Sequence, residues 1–262
     1  MKTIVIANQK GGVGKSTTTI NLGSALAMDG NQVLLIDADH QAHTTKGLAV
    51  QPKENNISDL LTKESVQPND VIVPTKEDGL FVIPSSLNLA MTEMKLSLMG
   101  AKEYRLRKKV NSEEIRGRFD YCIIDCPPTF GNICMNAFLA CDWVIMPIQL
   151  GYFSMEGVDS FIETINYVNK EMGDLVNHRC KFLGVLINFF DKRTNLSKTV
   201  MEKLEEVFDD LIFKSRIPVN IKLNESQLLG VSVFEHDPLC KSAEAYMDLK
   251  EEVLLRLKGL KT

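Results

Sequence analysis

Apolar residues along this chain fall into short unbroken runs separated by stretches of helical period. Residues 3–7, 32–37, 80–83, 119–125, 142–148 and 181–188 each hold such a run, rich in Val, Ile and Leu and flanked by polar residues. Runs of four to eight apolar residues suit strands buried on both faces, as in a parallel sheet. Between them the spacing changes to three and four. A helix is expected from Thr18, carrying Ile20, Leu22, Ala25 and Leu26 inward and stopping near residues 29–31, where Gly30 breaks it. Further helical patterns cover 87–98, begin at Ser154, open at 191–196 and run from Ala243 to the C-terminus. Residues 44–79 read as loop with a short helix near 57–61, punctuated by Pro52, Pro68 and Pro74, and nothing catalytic stands out there. This alternation predicts an α/β fold: one doubly wound, mostly parallel sheet of seven or eight strands with helices on both faces.

The chain has 262 residues, 44% hydrophobic and 24% charged, enough to bury a large core. No repeat or Pro/Gly/Ser-rich linker divides it, so residues 1–262 are expected to form one domain. No apolar run approaches the roughly 20 residues of a membrane span. With a core strand beginning after two residues, neither a signal peptide nor a DNA-binding extension ahead of it is expected. A cytoplasmic location is expected. Six cysteines, at 122, 126, 134, 141, 180 and 240, match no zinc or iron–sulfur spacing and read as reduced, packed thiols. His40 and His43 lack a third ligand and read as solvated loop.

Chemistry concentrates where the first strand meets the first helix, at Lys10-Gly11-Gly12-Val13-Gly14-Lys15-Ser16-Thr17. Glycines let backbone N–H groups turn inward as an anion nest at a helix N-terminus, here over Gly11 to Thr17. Lys15 can reach the β- and γ-phosphates of a nucleotide, and the Ser16 hydroxyl can ligate Mg²⁺. The second run ends in Asp37-Ala38-Asp39-His40-Gln41, and the fourth in Asp125-Cys126-Pro127-Pro128. Carboxylates at the carboxyl ends of parallel strands lie where ligands bind in open α/β sheets. Asp125 fits the acid that holds Mg²⁺ beside a phosphate loop. Lys10 has no evident task on its own nucleotide, since Lys15 serves the phosphates.

The lysine-initiated loop resembles the deviant phosphate loop of the ParA/MinD branch of P-loop ATPases, and the likeness extends over the whole chain to the ParA/Soj partition type. The segments at Asp37–Gln41, Asp125–Pro128, 191–196 and 217–226 carry it, with His40 in place of a usual proline and Val219 and Lys222 in place of two arginines. The resemblance implies that Lys10 crosses a dimer interface to the partner's nucleotide, that Asp39 positions the attacking water, and that Asp37 joins Ser16 and Asp125 around Mg²⁺. It implies that Asn188 and Pro218 receive the adenine. The asparagine also suits a turn at a strand end. The cysteine spacing separates the chain from the nitrogenase iron protein, a relative that bridges a cluster.

What the likeness implies for function is an ATP hydrolase using ATP and Mg²⁺. It forms a homodimer with ATP, binds DNA without sequence preference through Lys192, Arg193, Lys198 and Lys222, and associates with the nucleoid. A ParB-like or other adaptor stimulates hydrolysis as a plasmid, chromosome region or other cargo is positioned. The net charge of −4 limits any DNA surface to a local one. The basic stretch 102–118 reads as a solvated helix face rather than a nucleic-acid patch. The other reading is a MinD-like membrane-surface ATPase, which would need Leu254, Leu257 and Leu260 of the last helix to graze a bilayer. Continuity with the apolar pattern from Ala243 favours a packed helix instead.

Overall fold

The structure, a computed structural model, describes residues 1–151, 154–191 and 195–259. Eight strands form one sheet: β1 (Lys2–Ile6), β2 (Val33–Asp37), β3 (Val73–Pro74), β4 (Leu80–Ile83), β5 (Tyr121–Asp125), β6 (Trp143–Gln149), β7 (Lys181–Phe190) and β8 (Ile212–Pro218). Their order is β3-β4-β2-β5-β1-β6-β7-β8, and β3 is the antiparallel strand at one edge. The expected doubly wound sheet is present.

Side-chain alternation builds two cores from the same strands. Val5, Leu34, Ile36, Cys122 and Ile124 face one helical layer, which includes Phe138 and Phe161. Ile4, Ile6, Val33, Leu35 and Ile123 face the other, with Ile20, Leu22, Leu26, Tyr246 and Leu249. Every residue of β2 is buried, which is why it reads as an unbroken apolar run.

The helix Lys15–Ala27 packs tightly on β2. A Cβ on Gly23 would lie 2.7 Å from Leu35 Cδ2. The helix ends where Gly30 takes a φ of 82° and donates its N–H to Ala27 O, while Asn31 Nδ2 donates to Leu26 O. Its C-terminal turn is held by the last helix, Lys241–Gly259, whose buried Lys250 ammonium meets both Asp29 carboxylate oxygens at 2.8 Å. Val253 and Leu257 of that last helix are fully buried. Leu257 is therefore core, as the packed reading requires, while Leu260 lies outside the described residues. Among the described residues no helix is long and apolar enough to cross a membrane.

Two expectations change. Residues 102–118 form a 3₁₀ turn and two short helices, Arg105–Val110 and Glu113–Arg118, rather than one solvated face. Their cations serve the fold. Arg105 donates to Leu61 O, Arg107 to Leu139 O, buried Lys109 to Val66 O, and Arg118 lies over the Phe81 and Phe119 rings. The second change is β8, which no apolar run announced because Lys214, Ser215 and Arg216 interrupt it. It lies at the sheet edge, and Glu252 accepts the backbone N–H groups of Lys214 and Ser215.

The candidate nucleotide site

Register aligns the chemistry at one end of the sheet. Ile6 pairs with Asp125 and Asp37 pairs with Asp125, so β1 delivers the glycine loop directly beside two carboxylates. Gly14 is the N-cap of the first helix in a left-handed conformation, without a side-chain cap, and the first turn holds no acid. The helix N-terminus therefore presents unpaired N–H groups, as an anion site requires. A side chain at Gly14 would also force its neighbour to move. A Cβ there would lie 2.5 Å from Asn188 Nδ2.

The loop is braced from beneath. Asn8 donates to Pro147 O at 2.7 Å and accepts the Lys10 N–H at 2.9 Å. Gln227 donates to Thr17 Oγ1 at 2.9 Å. Lys15 is buried, and its ammonium folds over the loop to donate to Lys10 O at 3.1 Å. Burial lowers its pKa, opposed by the charges of Asp125 and Asp39. Lys10 points outward. Its side chain is exposed and meets no acceptor among the described residues.

The two strand-end acids are treated differently. Asp37 Oδ2 accepts the Thr45 N–H and hydroxyl at 2.8 and 2.7 Å, and Oδ1 accepts the Asp39 N–H at 3.2 Å. Asp125 Oδ2 accepts the Thr44 hydroxyl at 2.7 Å, but the buried Oδ1 has no partner in hydrogen-bond geometry. Burial pushes the Asp37 pKa up to about 6, against the Thr45 hydrogen bonds. It pushes Asp125 up to about 7, with the Asp37 charge adding to burial and the Ser16 and Thr44 hydroxyls opposing it. An orphaned carboxylate oxygen beside a serine hydroxyl at a loop of free N–H groups is a donor set suited to a hard cation. Of the three groups assigned to Mg²⁺, Asp125 has an open oxygen, Ser16 adjoins it, and Asp37 is engaged in holding Thr45 and the Asp39 backbone.

Asp39 is 6% exposed, and its Oδ1 accepts the Gln41 N–H at 2.9 Å. His40 Nδ1 stands 3.4 Å from the same oxygen, so the residue replacing the usual proline touches the carboxylate assigned to the water. His43 is exposed, and no cluster of His, Cys, Asp or Glu fit to hold a metal occurs among the described residues. The six cysteines are free thiols. Thr44 and Thr45, in a stretch that showed no chemistry by sequence, fasten both acids. Two hydroxyls within eight residues of Asp37 were the available signal.

Beyond the loop lies a cavity of about 230 Å³, lined by Gly14, Asn188, Ile217, Pro218 and Tyr246 among others. Asn188 is buried and donates from Nδ2 to Val13 O at 2.8 Å, which leaves its Oδ1 without a partner. Both residues assigned to adenine thus line one cavity adjoining the loop. Of the residues assigned to DNA, Lys192, Arg193 and the Lys198 side chain lie outside the described residues. Lys222 is bound to Glu225 at 2.9 Å, which raises its pKa.

Comparison with known proteins agrees with this architecture. Residues 1–182 match the family model described as an AAA domain. The chain is 38% identical to the sporulation initiation inhibitor protein Soj of Bacillus subtilis over 254 residues, covering 96% of this chain and 98% of that protein. It is 36% identical to the chromosome partitioning protein ParA of Caulobacter vibrioides over 258 residues, 98% of this chain and 95% of that one. Among solved structures, the cobyrinic acid a,c-diamide synthase of Mycobacterium smegmatis with bound ATP analog and magnesium superposes with a TM-score of 0.81 at 30% identity, covering 98% of this chain and 96% of its own.

Proposed function

The chain belongs to the Soj/ParA family of chromosome-partitioning ATPases, and on that premise we propose that it hydrolyses ATP as a dimer that holds DNA. ATP with Mg²⁺ occupies the loop. The dimer closes over two nucleotides and binds DNA without sequence preference. A partner protein, ParB-like or another cargo adaptor, stimulates hydrolysis, and the cycle positions a plasmid, a chromosome region or other cargo in the cytoplasm on the nucleoid. The observation that supports this best is the convergence of a cap-free helix N-terminus, buried Lys15, Asp39 and the open Asp125 oxygen at one sheet end.

Each residue then has a task. The loop N–H groups and Lys15 hold the phosphates, and Asn188 Oδ1 suits the exocyclic amine of adenine. Mg²⁺, held by Ser16 and Asp125, would neutralise charge on the phosphates. Asp39 orients the water whose oxygen bonds to the γ-phosphorus as the bond to the bridging oxygen breaks. Lys10, exposed and unpaired, extends to the partner subunit's nucleotide. Because Leu257 is packed in the core, the membrane-surface reading gains no support.

Three variants test the proposal. Asp39→Ala should keep ATP binding and lose hydrolysis, trapping the dimer. Lys10→Ala should keep nucleotide binding and lose the ATP-dependent dimer on size-exclusion chromatography. DNA binding should require ATP and weaken with salt by a log–log slope of about −0.9 per phosphate contact, and Arg193→Ala should flatten that slope by roughly two in a symmetric dimer. Wild-type hydrolysis by Asp39→Ala, or DNA binding without ATP, would overturn the corresponding assignment. ATP-loaded protein that ignores DNA at low salt and pellets with anionic liposomes would replace the DNA reading by the membrane one.

A further inference from the structure

Two adjacent phenylalanines close β7, and they differ. Phe190 packs against the core, with the Arg216 guanidinium 4.9 Å from its ring centroid. Phe189 belongs to neither core layer, is 40% exposed, and has a φ of 55°. A left-handed backbone is an outlier for a bulky aromatic residue, and such conformations persist where the surroundings impose them, often at binding sites. The cause is in the ladder. Ile187 pairs with Arg216 and Phe190 with Pro218, so β7 takes three steps where β8 takes two. The extra residue is a bulge, the device that re-aims a side chain at a strand end.

The bulge turns the Phe189 ring toward the nucleotide loop. Its Cε2 lies 3.7 Å from where a Gly14 Cβ would stand, and Phe189 lines the same cavity as Asn188, whose buried Oδ1 has no partner. Asn188, 3% exposed, borders the cavity with that acceptor buried at its wall, and Ile217 and Pro218 supply further apolar lining. A flat apolar ring beside a lone buried acceptor is the arrangement that suits a purine carrying an amine: a stacking surface and one hydrogen bond.

We propose that Phe189 is a base-stacking residue, held in a strained turn so that its ring forms one wall for the purine and sets nucleotide affinity rather than the rate of hydrolysis. This rests on the reading that the loop binds ATP. A residue kept for binding at the expense of backbone comfort behaves unlike a core residue: relaxing the backbone should leave the empty protein no less stable while it weakens the ligand.

Phe189→Asn makes that test, because asparagine adopts the left-handed region readily and carries no ring. Losing one base stack weakens binding roughly tenfold. By calorimetric titration with ATP, the dissociation constant should rise about tenfold, KM should rise with it, and kcat should hold. The melting temperature of the nucleotide-free variant should be no lower than wild type. Phe189→Trp should keep wild-type affinity, and its added indole emission should fall on ATP addition. Wild-type affinity in Phe189→Asn, or a loss of melting temperature typical of a core deletion, overturns the inference while leaving ATP binding itself intact. A wild-type protein that binds no ATP would overturn the nucleotide reading and this inference with it.

Discussion

Asp125→Asn should stabilise the nucleotide-free protein at neutral pH and above, although the residue is assigned to the metal. Its carboxyl is fully buried beside Asp37, one oxygen has no partner, and its pKa is pushed from 3.8 up to about 7. Between those values the folded state holds a proton that the unfolded state has released. Stability therefore falls as pH rises through this window, by about 1.4 kcal/mol per pH unit and about 4 kcal/mol in all. Asparagine keeps a carbonyl for the Thr44 hydroxyl and removes the charge. Below pH 3.8 the two proteins should differ only by the cost of burying the amide, and between pH 5 and pH 8 the gap should widen by about 3 kcal/mol. The amide N–H groups need acceptors of their own, a cost independent of pH that lowers the variant throughout and leaves the widening intact, a change in the melting gap of roughly 6 to 12 °C. Circular-dichroism melts with a chelator at both pH values would measure it, and added Mg²⁺ and ATP should raise wild type more than the variant. A gap that stays flat with pH, or a variant less stable at pH 8, would refute the placement of a desolvated carboxyl at the loop.

Two other outcomes follow from geometry. Gly14→Ala forces a Cβ to 2.5 Å from Asn188 Nδ2 at a φ of 85°, so ATP binding should vanish in titration calorimetry and stability should fall by about 2 kcal/mol or more in urea. Retention of both would mean that Asn188 yields easily. At the opposite end, Asp29→Ala leaves the buried Lys250 ammonium to its ion pair with Glu251, whereas Lys250→Met returns half-exposed Asp29 to water. The aspartate variant should be the less stable by about 1–2 kcal/mol, and equal urea midpoints would show that the pair contributes little.

The central strands were readable because burial on both faces removes polar residues, and the loop because phosphate binding demands glycine, lysine and hydroxyl at close spacing. What escaped depended on partners far away in sequence. Arg105, Lys109 and Arg118 look like a charged surface until Leu61 O, Val66 O and the Phe81 ring are brought beside them. Thr44 and Thr45 look like loop until a short helix sets them against Asp125 and Asp37. The edge strand β8 satisfies its middle through Glu252, 37 residues from Ser215, so its own residues need not be apolar. Phe189 carried no signal in the sequence, since a bulge is a property of two strands and neither shows it singly.

The grip of the last helix on the first bears on how the protein is made. Tyr246 reaches Thr18 across 228 residues and Lys250 reaches Asp29 across 221. On the ribosome, the helix that follows the phosphate loop emerges early and waits with an uncovered apolar face until almost the entire chain has been synthesised. Contacts of such long sequence separation form late and leave incomplete chains open to aggregation. A shortened C-terminus should therefore loosen the first helix and, with it, the nucleotide loop at the far end of the chain.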